Sequence, residues 1–432
     1  MEKLAILGGP KTINYSFKQH NPIGEEECLA VNEVMKTGVL SQYLGVWNRD
    51  FFGGPKVQEF ETVARQYFGV KHAVVVNSCT SGLIAAIGAI GIEPGDEIIV
   101  SPWTMTATAT AILMWNAVPV FADIDREFFN IDPVSIKKNI TPYTKAIIAI
   151  DIYGHSADMD SILEIADRHN LKVISDCAQT PSAKYKGKFA GTISDIGVFS
   201  LNYHKHIHTG EGGIIVTNNN DYAERLQLIR NHAEAVVESK GVSNLSNMLG
   251  FNFRMGEIEA AIGIEQFKKL GRIADYMTAL GEQLTIGLKS LESLTPPKVK
   301  ENCTHVYYAY PLILDTEQLG IKRDVIHQAL VAEGVPIGQG YTNIHLLPLY
   351  QEKIAYGNYG FPWSSDVYKG NVKYNKGICP VAEKLHEKEI MAIPTCMHDW
   401  ENDDIINIIK AFKKVWAQLN ALRAYADDVG NE

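Results

Sequence analysis

Six short apolar runs, rich in β-branched residues and separated by helical stretches, constrain the fold of this 432-residue chain more than any other feature. They lie between Phe60 and Val216 and comprise Ala73–Val76, Glu97–Val100, Val118–Phe121, Ala146–Ile150, Val173–Asp176 and Gly197–Ser200. Strands of this kind that alternate with helices are typical of a mostly parallel sheet buried on both faces. We therefore predict a large α/β domain whose ligands bind at the carboxyl ends of the strands.

The pattern changes towards the C-terminus. Residues 255–270 have apolar positions at helical spacing and predict a helix that leads out of the large domain. Shorter α+β elements follow, and a helical pattern covers residues 403–424. Because the chain is too long for one compact core, we predict a large domain with the N-terminal segment at 1–285 and a small α+β domain at 286–432.

An aromatic, Gly-rich stretch between Tyr341 and Asn375 has no clear periodicity. Loops of this length in compact domains are usually functional or disordered. The aromatic content argues against disorder, so we expect an ordered loop.

Composition excludes several classes of protein. The net charge is −10 and no Lys/Arg block stands out, so nucleic acid is not an expected partner. The 6 cysteines are scattered without a C-x-x-C pair or zinc-ligand spacing, which favours reduced thiols and no metal site. The N-terminus lacks a signal-peptide pattern, and no apolar segment is long enough to span a membrane. These features predict a cytoplasmic protein with a small-molecule substrate.

The most informative pair is Asp176, at the end of one predicted strand, and Lys205, after the next strand in FSLNYHKHIHTGEGG. A pyridoxal-phosphate (PLP) site needs an acid against the pyridine nitrogen and a lysine that holds the aldehyde as a Schiff base. Taken singly, however, a strand-end Asp is often a helix cap, and a loop lysine is usually only solvated.

Five segments together resemble the DegT/DnrJ/EryC1/StrS family of sugar aminotransferases, in that family's order. They are GGPKVQEFE (53–61), VVVNSCTSGLIAAIGAIGIEPGDEIIV (74–100), SDCAQT (175–180), FSLNYHKHIHTGEGGIIVT (199–217) and GFNFRMGEIEAAIG (250–263). The resemblance implies a fold type I PLP-dependent transferase with a seven-stranded type of sheet. It also implies a homodimer in which both subunits contribute to each active site.

By the same resemblance, Lys205 is the catalytic Schiff-base lysine and Asp176 the partner of the pyridine nitrogen. Gln179 occupies the place of a group near the ring hydroxyl. The implied reaction transfers an amino group from glutamate or glutamine to a keto-sugar, with Lys205 moving the proton in each half.

The cofactor phosphate is expected at Ser78, Cys79 and Thr80, where the family has Ser-Gly-Thr at the start of a helix, and at the hydroxyl of Ser200. Backbone N–H groups at a helix N-terminus bind an anion without any special side chain. Cys79 departs from the usual glycine and would be strained if that position required a positive φ.

Met105 falls where the family commonly stacks an aromatic ring on the cofactor. Trp103 would lie on the same side of an extended chain, since side chains alternate there, and is the second candidate for stacking.

Asn252 and Arg254 match polar groups that the family sends across the dimer interface to the phosphate, although a surface loop of incidental polarity has the same pattern. His345 lies where the family has a histidine near the sugar, but a lone histidine is more often structural.

Two other functions remain open. A PLP-dependent sugar dehydratase would carry histidine at the lysine position, and here His204 and His206 flank Lys205. A regulatory protein on the same fold, without turnover, is the second. The acceptor is also open among nucleotide-linked keto-sugars, keto-inositols and an octulosonate. The N-terminal LGGPK segment and the aromatic region at 356–376 resemble the longer family members, which include enzymes that act on keto-inositols.

Overall fold

The computed structural model describes residues 2–429. Its strands, in chain order, are β1 (His72–Val76), β2 (Glu97–Val100), β3 (Val118–Phe121), β4 (Thr144–Ile150), β5 (Lys172–Asp176), β6 (Lys184–Tyr185), β7 (Lys188–Phe189), β8 (Ile196–Ser200), β9 (Gly213–Thr217), β10 (Leu294–Thr295), β11 (Tyr310–Leu314) and β12 (Ile390–Ile393). Its α-helices are α1 (Glu25–Thr37), α2 (Pro55–Phe68), α3 (Cys79–Ala89), α4 (Ala107–Leu113), α5 (Pro133–Asn139), α6 (Met159–His169), α7 (Asn220–Arg230), α8 (Val237–Lys240), α9 (Glu257–Leu288), α10 (Thr316–Leu319), α11 (Arg323–Ala332), α12 (Pro348–Gln351), α13 (Pro380–Lys384), α14 (Asn402–Trp416) and α15 (Leu419–Val429).

The central sheet has seven strands in the order β1-β9-β8-β5-β4-β2-β3. The five strands β8, β5, β4, β2 and β3 are parallel to one another, and β9 is antiparallel to both β8 and β1. All six predicted runs are strands of this sheet, so the prediction of a mostly parallel α/β fold is confirmed.

Helices cover both faces of the sheet. Along β4, Ile147 and Ala149 enter one hydrophobic core, whereas Ile148 and Ile150 enter the core on the opposite face. Successive side chains of a strand point to opposite faces, so a strand between two cores must be apolar at every position. This requirement explains the unbroken apolar runs of the sequence.

A second, smaller sheet of order β10-β11-β12 packs with α11 and α14 around a separate core. Helix α9 joins the two regions, because Phe267 in its first half packs below the large sheet and Leu284 in its second half packs in the small core. The helix predicted at 255–270 is the first half of this 32-residue helix. The predicted C-terminal helix is divided into α14 and α15. The domain division at 285/286 stays a prediction.

The aromatic loop predicted between Tyr341 and Asn375 is ordered against the large sheet. The hydroxyl of Tyr374 donates to the carbonyl of Pro119 at 2.7 Å, and the hydroxyl of Tyr368 donates to Glu97 Oε1 at 2.8 Å. The indole of Trp363 donates to Tyr374 in turn, at 2.9 Å. The loop therefore packs along β2 and β3. Within residues 2–429, no helix is both long enough and apolar enough to cross a bilayer.

Candidate active site

A cavity of about 240 Å³ lies where β4, β5 and β8 end and α3 begins. Eight predicted site residues line it: Ser78, Cys79, Thr80, Met105, Asp176, Gln179, Ser200 and Lys205. Carboxyl ends of parallel strands meet at one edge of a sheet, which is why residues far apart in sequence converge here.

Asp176 is the last residue of β5 and is buried. Its Oδ2 accepts a hydrogen bond from the Thr108 hydroxyl at 2.7 Å, and its Oδ1 accepts one from the N–H of Ala178 at 3.1 Å. Burial raises the pKa of this carboxyl, and the two hydrogen bonds and the charge of Lys205 oppose that shift. Within the described chain no ion pair neutralises Asp176, so its carboxylate is available to a cationic group in the cavity.

Lys205 is 7% exposed, and its Nζ lies 4.4 Å from the centre of the Tyr308 ring. Burial lowers the pKa of this amine, and attraction by Cys79 and Asp176 only partly offsets the effect. The uncharged amine is thereby favoured, which is the form that attacks an aldehyde and accepts a proton.

The start of α3 forms an open anion site. Ser78 caps the helix, since its Oγ accepts from the N–H of Ser81 at 3.0 Å. Cys79 and Thr80 line the cavity, and their N–H groups, in the first turn of the helix, have no intrahelical acceptor. Cys79 is the first helical residue and has no positive φ, so the expected strain at this departure from glycine is absent.

The GEGG segment brings β9 beneath the start of α3. A Cβ on Gly213 would lie 2.6 Å from the carbonyl oxygen of Ser78 and 2.8 Å from the nitrogen of Cys79. Only glycine permits this approach, so Gly213 holds the helix start against the sheet. Ser200, at the end of β8, adds its hydroxyl to the same cavity, where Oγ accepts from the N–H of Asn202 at 3.3 Å.

The amide of Gln179 is oriented by two neighbours. Its Oε1 accepts from the N–H of Tyr153 at 2.6 Å, and its Nε2 donates to the hydroxyl of Tyr341 at 2.9 Å. Burial raises the pKa of Tyr341 to about 12, so its hydroxyl stays protonated. The second hydrogen of Nε2 remains available to a ligand.

Trp103 and His345 do not line this cavity. Trp103 is fully buried outside the cavity, and its indole N–H donates to the Tyr153 hydroxyl at 3.1 Å. The chain from 102 to 104 is bent, so the side-chain alternation of an extended strand, from which Trp103 was predicted to face the cofactor, does not apply there. His345 is also fully buried, and its Nε2 lies 2.9 Å from Glu383 Oε1. Met105, by contrast, is 60% exposed and lines the cavity.

Asn252 and Arg254 lie outside the cavity of their own chain. Asn252 is exposed, and the Arg254 guanidinium lies 5.9 Å from the centre of the Tyr43 ring. The Nε of Arg254 is buried and has no hydrogen-bond partner among residues 2–429. Whether these groups reach a second subunit stays a prediction.

The cavity residues that sequence reasoning missed include Thr108, Asp151, Tyr308 and Tyr341. Asp151 follows β4 at the same sheet edge as Asp176, a position that the strand pattern could have identified. Thr108 lies in a helix, and the two tyrosines come from the C-terminal part of the chain, so no local pattern marks them.

Pyridoxal phosphate, the cofactor that the resemblance implies, fits this set of groups. A buried carboxylate with no cationic partner among the described residues suits a protonated ring nitrogen, and a buried lysine whose pKa is lowered by burial suits an aldehyde. The free N–H groups of Cys79 and Thr80 and the hydroxyl of Ser200 suit a phosphate. The residues that would hold the cofactor thus come from the ends of β5 and β8, the loop after β8 and the start of α3.

Known proteins share this architecture. The profile of the DegT/DnrJ/EryC1/StrS aminotransferase family matches residues 23–413. The chain is 38% identical over 301 residues to the GDP-perosamine synthase of Caulobacter vibrioides, an overlap that covers 69% of this chain and 79% of that protein. It is 30% identical over 426 residues to a Micromonospora echinospora protein named putative L-glutamine:3-amino-2,3-dideoxy-scyllo-inosose aminotransferase, covering 98% of this chain and 99% of that one.

The fold agrees with these similarities. The X-ray structure of S. venezuelae DesV in complex with a ketimine intermediate matches with a TM-score of 0.75 at 28% identity, over 91% of this chain and 95% of DesV. The sequence profile and the matching fold together show that this chain belongs to the DegT/DnrJ/EryC1/StrS family of PLP-dependent sugar aminotransferases.

Proposed function

We propose that this chain moves an amino group from glutamate or glutamine to a keto-sugar or a similar cyclic ketone, with pyridoxal phosphate bound at Lys205. The observation that carries the proposal is a buried lysine and a buried carboxylate, neither in an ion pair with any described residue, lining one cavity with the N-terminus of α3. We further propose that the enzyme works in the cytoplasm.

In this proposal Asp176 keeps a proton on the ring nitrogen, and Lys205 holds the aldehyde carbon. When bound, the cofactor supplies a ring that accepts electrons from the substrate carbon. Lys205 Nζ, once released, takes a proton from the substrate carbon in one half-reaction and returns one in the other. The lowered pKa of Lys205 supports this role, since only the uncharged amine accepts a proton.

The phosphate would accept hydrogen bonds from the N–H groups of Cys79 and Thr80 and from the Ser200 hydroxyl. Ser78 would act indirectly, because its Oγ is already bonded to Ser81 and fixes the helix start. Gln179 would offer its free Nε2 hydrogen to the ring hydroxyl, and Met105 would cover the open side of the ring.

The share of this chain that each named relative matches guides the choice of acceptor. The Micromonospora relative, whose name gives an inosose as substrate and L-glutamine as donor, matches this chain nearly from end to end. The perosamine synthase covers 69% of it. We therefore propose keto-inositols as the first acceptors to test, followed by nucleotide-linked keto-sugars and the octulosonate.

The dehydratase alternative requires a histidine to take the place of Lys205. In the structure the ring of His206 is turned away from the cavity and donates to the carbonyl of Val306 at 2.8 Å. His204 does line the cavity, so its role has to be tested directly. A regulatory protein without turnover would not need a buried lysine of lowered pKa.

The deciding experiment follows the first half-reaction. Purified protein loaded with cofactor should change its visible absorption when glutamate or glutamine is added alone, and borohydride should fix the cofactor onto Lys205 in peptide mapping. Lys205→Ala should abolish both signals, and Lys298→Ala, at an exposed lysine paired with Glu127, should keep them. Cofactor found on another lysine, or normal turnover in Lys205→Ala, would overturn the assignment.

We also propose a homodimer whose sites each borrow Asn252, Arg254 or both from the partner subunit. The exposed position of Asn252 and the nearby exposed apolar side chains Leu44, Leu245 and Leu249 support this arrangement. Mixing an Asn252→Ala/Arg254→Ala chain with a Lys205→Ala chain should restore part of the activity, because one site of each mixed dimer is then intact. No recovery despite proven subunit exchange would contradict shared sites.

A further inference from the structure

The aromatic ring of Tyr308 covers the amine of Lys205. Tyr308 lies in the loop between β10 and β11, lines the cavity and is partly buried. Lys205 Nζ lies 4.4 Å from the centre of the ring, within the distance at which the face of an aromatic ring attracts a cation. Because that face carries partial negative charge, it favours the protonated form of Lys205 over the uncharged form.

Hydrogen bonds hold the ring in this position. The Tyr308 hydroxyl donates to the hydroxyl of Tyr341, which also accepts from Gln179 Nε2 at 2.9 Å. At the backbone, the carbonyl of Tyr308 accepts from the N–H of Cys396 at 3.2 Å. The ring is thus fixed at both ends, and it faces Lys205 without using its hydroxyl.

The uncharged groups around Lys205 do not compensate a proton on its amine. They are Cys79, Cys396, His204, His206 and Tyr341. Burial raises the pKa of both thiols, lowers the pKa of each histidine to about 4 and raises the pKa of the tyrosine to about 12. All five are therefore neutral near neutral pH.

The carboxylates are committed to other partners. Among residues 2–429, Asp151, Asp176 and Glu211 line the cavity. Asp151 accepts from the backbone N–H of Ala157 at 2.8 Å, and Glu211 is exposed and accepts from Asn202 Nδ2 at 2.8 Å. Asp176 does attract the charge of Lys205, but the proposed function assigns its carboxylate to the ring nitrogen of the cofactor. The face of Tyr308 is then the group left to stabilise a proton on Lys205.

The proposed reaction places a proton on this amine in each half. The bond between the substrate carbon and its hydrogen breaks, the electron pair stays with the carbon, and the proton forms a new N–H bond on Lys205 Nζ. Burial makes the resulting ammonium group costly and lowers the pKa of the amine. A ring face in contact with Nζ offsets part of that cost, so it makes Lys205 a stronger base.

We propose that Tyr308 is a positioning residue for Lys205, and that the face of its ring, rather than its hydroxyl, stabilises the protonated amine during proton transfer. The part of the proposal that concerns turnover rests on the proposed function. The effect of the ring on the proton affinity of Lys205 does not, and it is measured in the protein without cofactor.

The first test compares wild type with Tyr308→Leu, which removes the ring, and Tyr308→Phe, which removes only the hydroxyl. Trace acetylation of each apoprotein with isotopically labelled acetic anhydride over a range of pH, read by mass spectrometry, gives the titration midpoint of Lys205. Loss of the ring should lower this midpoint by about 1 pH unit, and Tyr308→Phe should keep the wild-type midpoint. Lys298, an exposed lysine paired with Glu127, is the internal reference. Equal midpoints in wild type and Tyr308→Leu would overturn the proposal.

The second test measures amination kinetics in the same proteins loaded with cofactor. Tyr308→Leu should lower kcat up to about 10-fold, with little change in KM for either substrate, and Tyr308→Phe should recover most of the lost kcat. A loss in Tyr308→Phe as large as that in Tyr308→Leu would make the hydroxyl the active group and refute the role of the ring face. No amination by wild type would instead refute the proposed function and leave the titration result standing.

If Tyr308→Leu does not fold, fluorinated phenylalanines at position 308 replace it. Fluorine atoms keep the size of the ring nearly constant and weaken the negative charge of its face. The midpoint of Lys205 should then fall stepwise as fluorine atoms are added, and a midpoint that stays constant along the series would overturn the proposal.

Discussion

Replacing Asp176 by asparagine separates its role in binding a cation from its role in the fold. The carboxylate accepts two hydrogen bonds from the protein, from Thr108 and Ala178, and has no cationic partner in the described chain. Burial already disfavours its charge, so the apoprotein gives up little when the charge is removed. We expect the free energy of unfolding of the apo variant to lie within about 1 kcal/mol of wild type, since one of the two hydrogen bonds is lost.

Cofactor binding should respond much more strongly. A hydrogen bond to a charged partner is worth about 1.5–3 kcal/mol, which corresponds to a roughly 10- to 150-fold loss of cofactor affinity. Loss of the carboxylate also lowers the pKa of the ring nitrogen by about 1–3 units, so we expect kcat/KM to fall on the order of 100-fold.

The assay is a titration of apoprotein with cofactor, followed by fluorescence, together with steady-state amination kinetics. Asp151→Asn is the matched control, because Asp151 is a second buried carboxylate of the same cavity, bonded to Ala157 N–H and the Cys177 thiol. Its cofactor affinity should change less than about 3-fold. If Asp176→Asn binds cofactor and turns over like Asp151→Asn, Asp176 is only a strand-end residue and the reasoning is refuted.

Three further predictions concern stability. Burial raises the pKa of Asp151 to about 6, above its value in the unfolded chain, so the free energy of unfolding falls as the pH rises from about 4 to about 6. Relative to wild type, Asp151→Asn should therefore gain up to about 2 kcal/mol across that window, measured by urea unfolding at both pH values. A difference that stays constant with pH would contradict this. Trp103→Phe should lower the free energy of unfolding by about 1 kcal/mol, because it removes the hydrogen bond to Tyr153, and should leave the cofactor affinity unchanged. Weaker cofactor binding in this variant would show that Trp103 belongs to the site. His345→Ala should cost about 3 kcal/mol, because it removes a fully buried imidazole and its hydrogen bond to the Glu383 carboxylate, with KM for both substrates unchanged. A raised acceptor KM in the folded variant would support a substrate role for His345.

The sequence alone was sufficient for six of the seven strands of the large sheet and for several residues at the strand ends; β9 and Asp151 were missed. A strand buried on both faces must be apolar throughout, and this is visible in a single chain. Since parallel strands end at one edge, Asp176, Ser200 and Lys205 could be grouped before any contact was known. The start of α3 was equally predictable, because an anion site at a helix N-terminus depends on the backbone.

The tertiary structure decided the contacts made across long sequence separations. Bends at 102–104 turned Trp103 into the core, and pairing with Glu383 fixed His345 away from the cavity. Tyr308 reaches the site because the loop before β11 is bonded to the turn after β4, and the segment of Tyr341 is bonded to the chain after β2 by Ile344 N–H to Pro102 O.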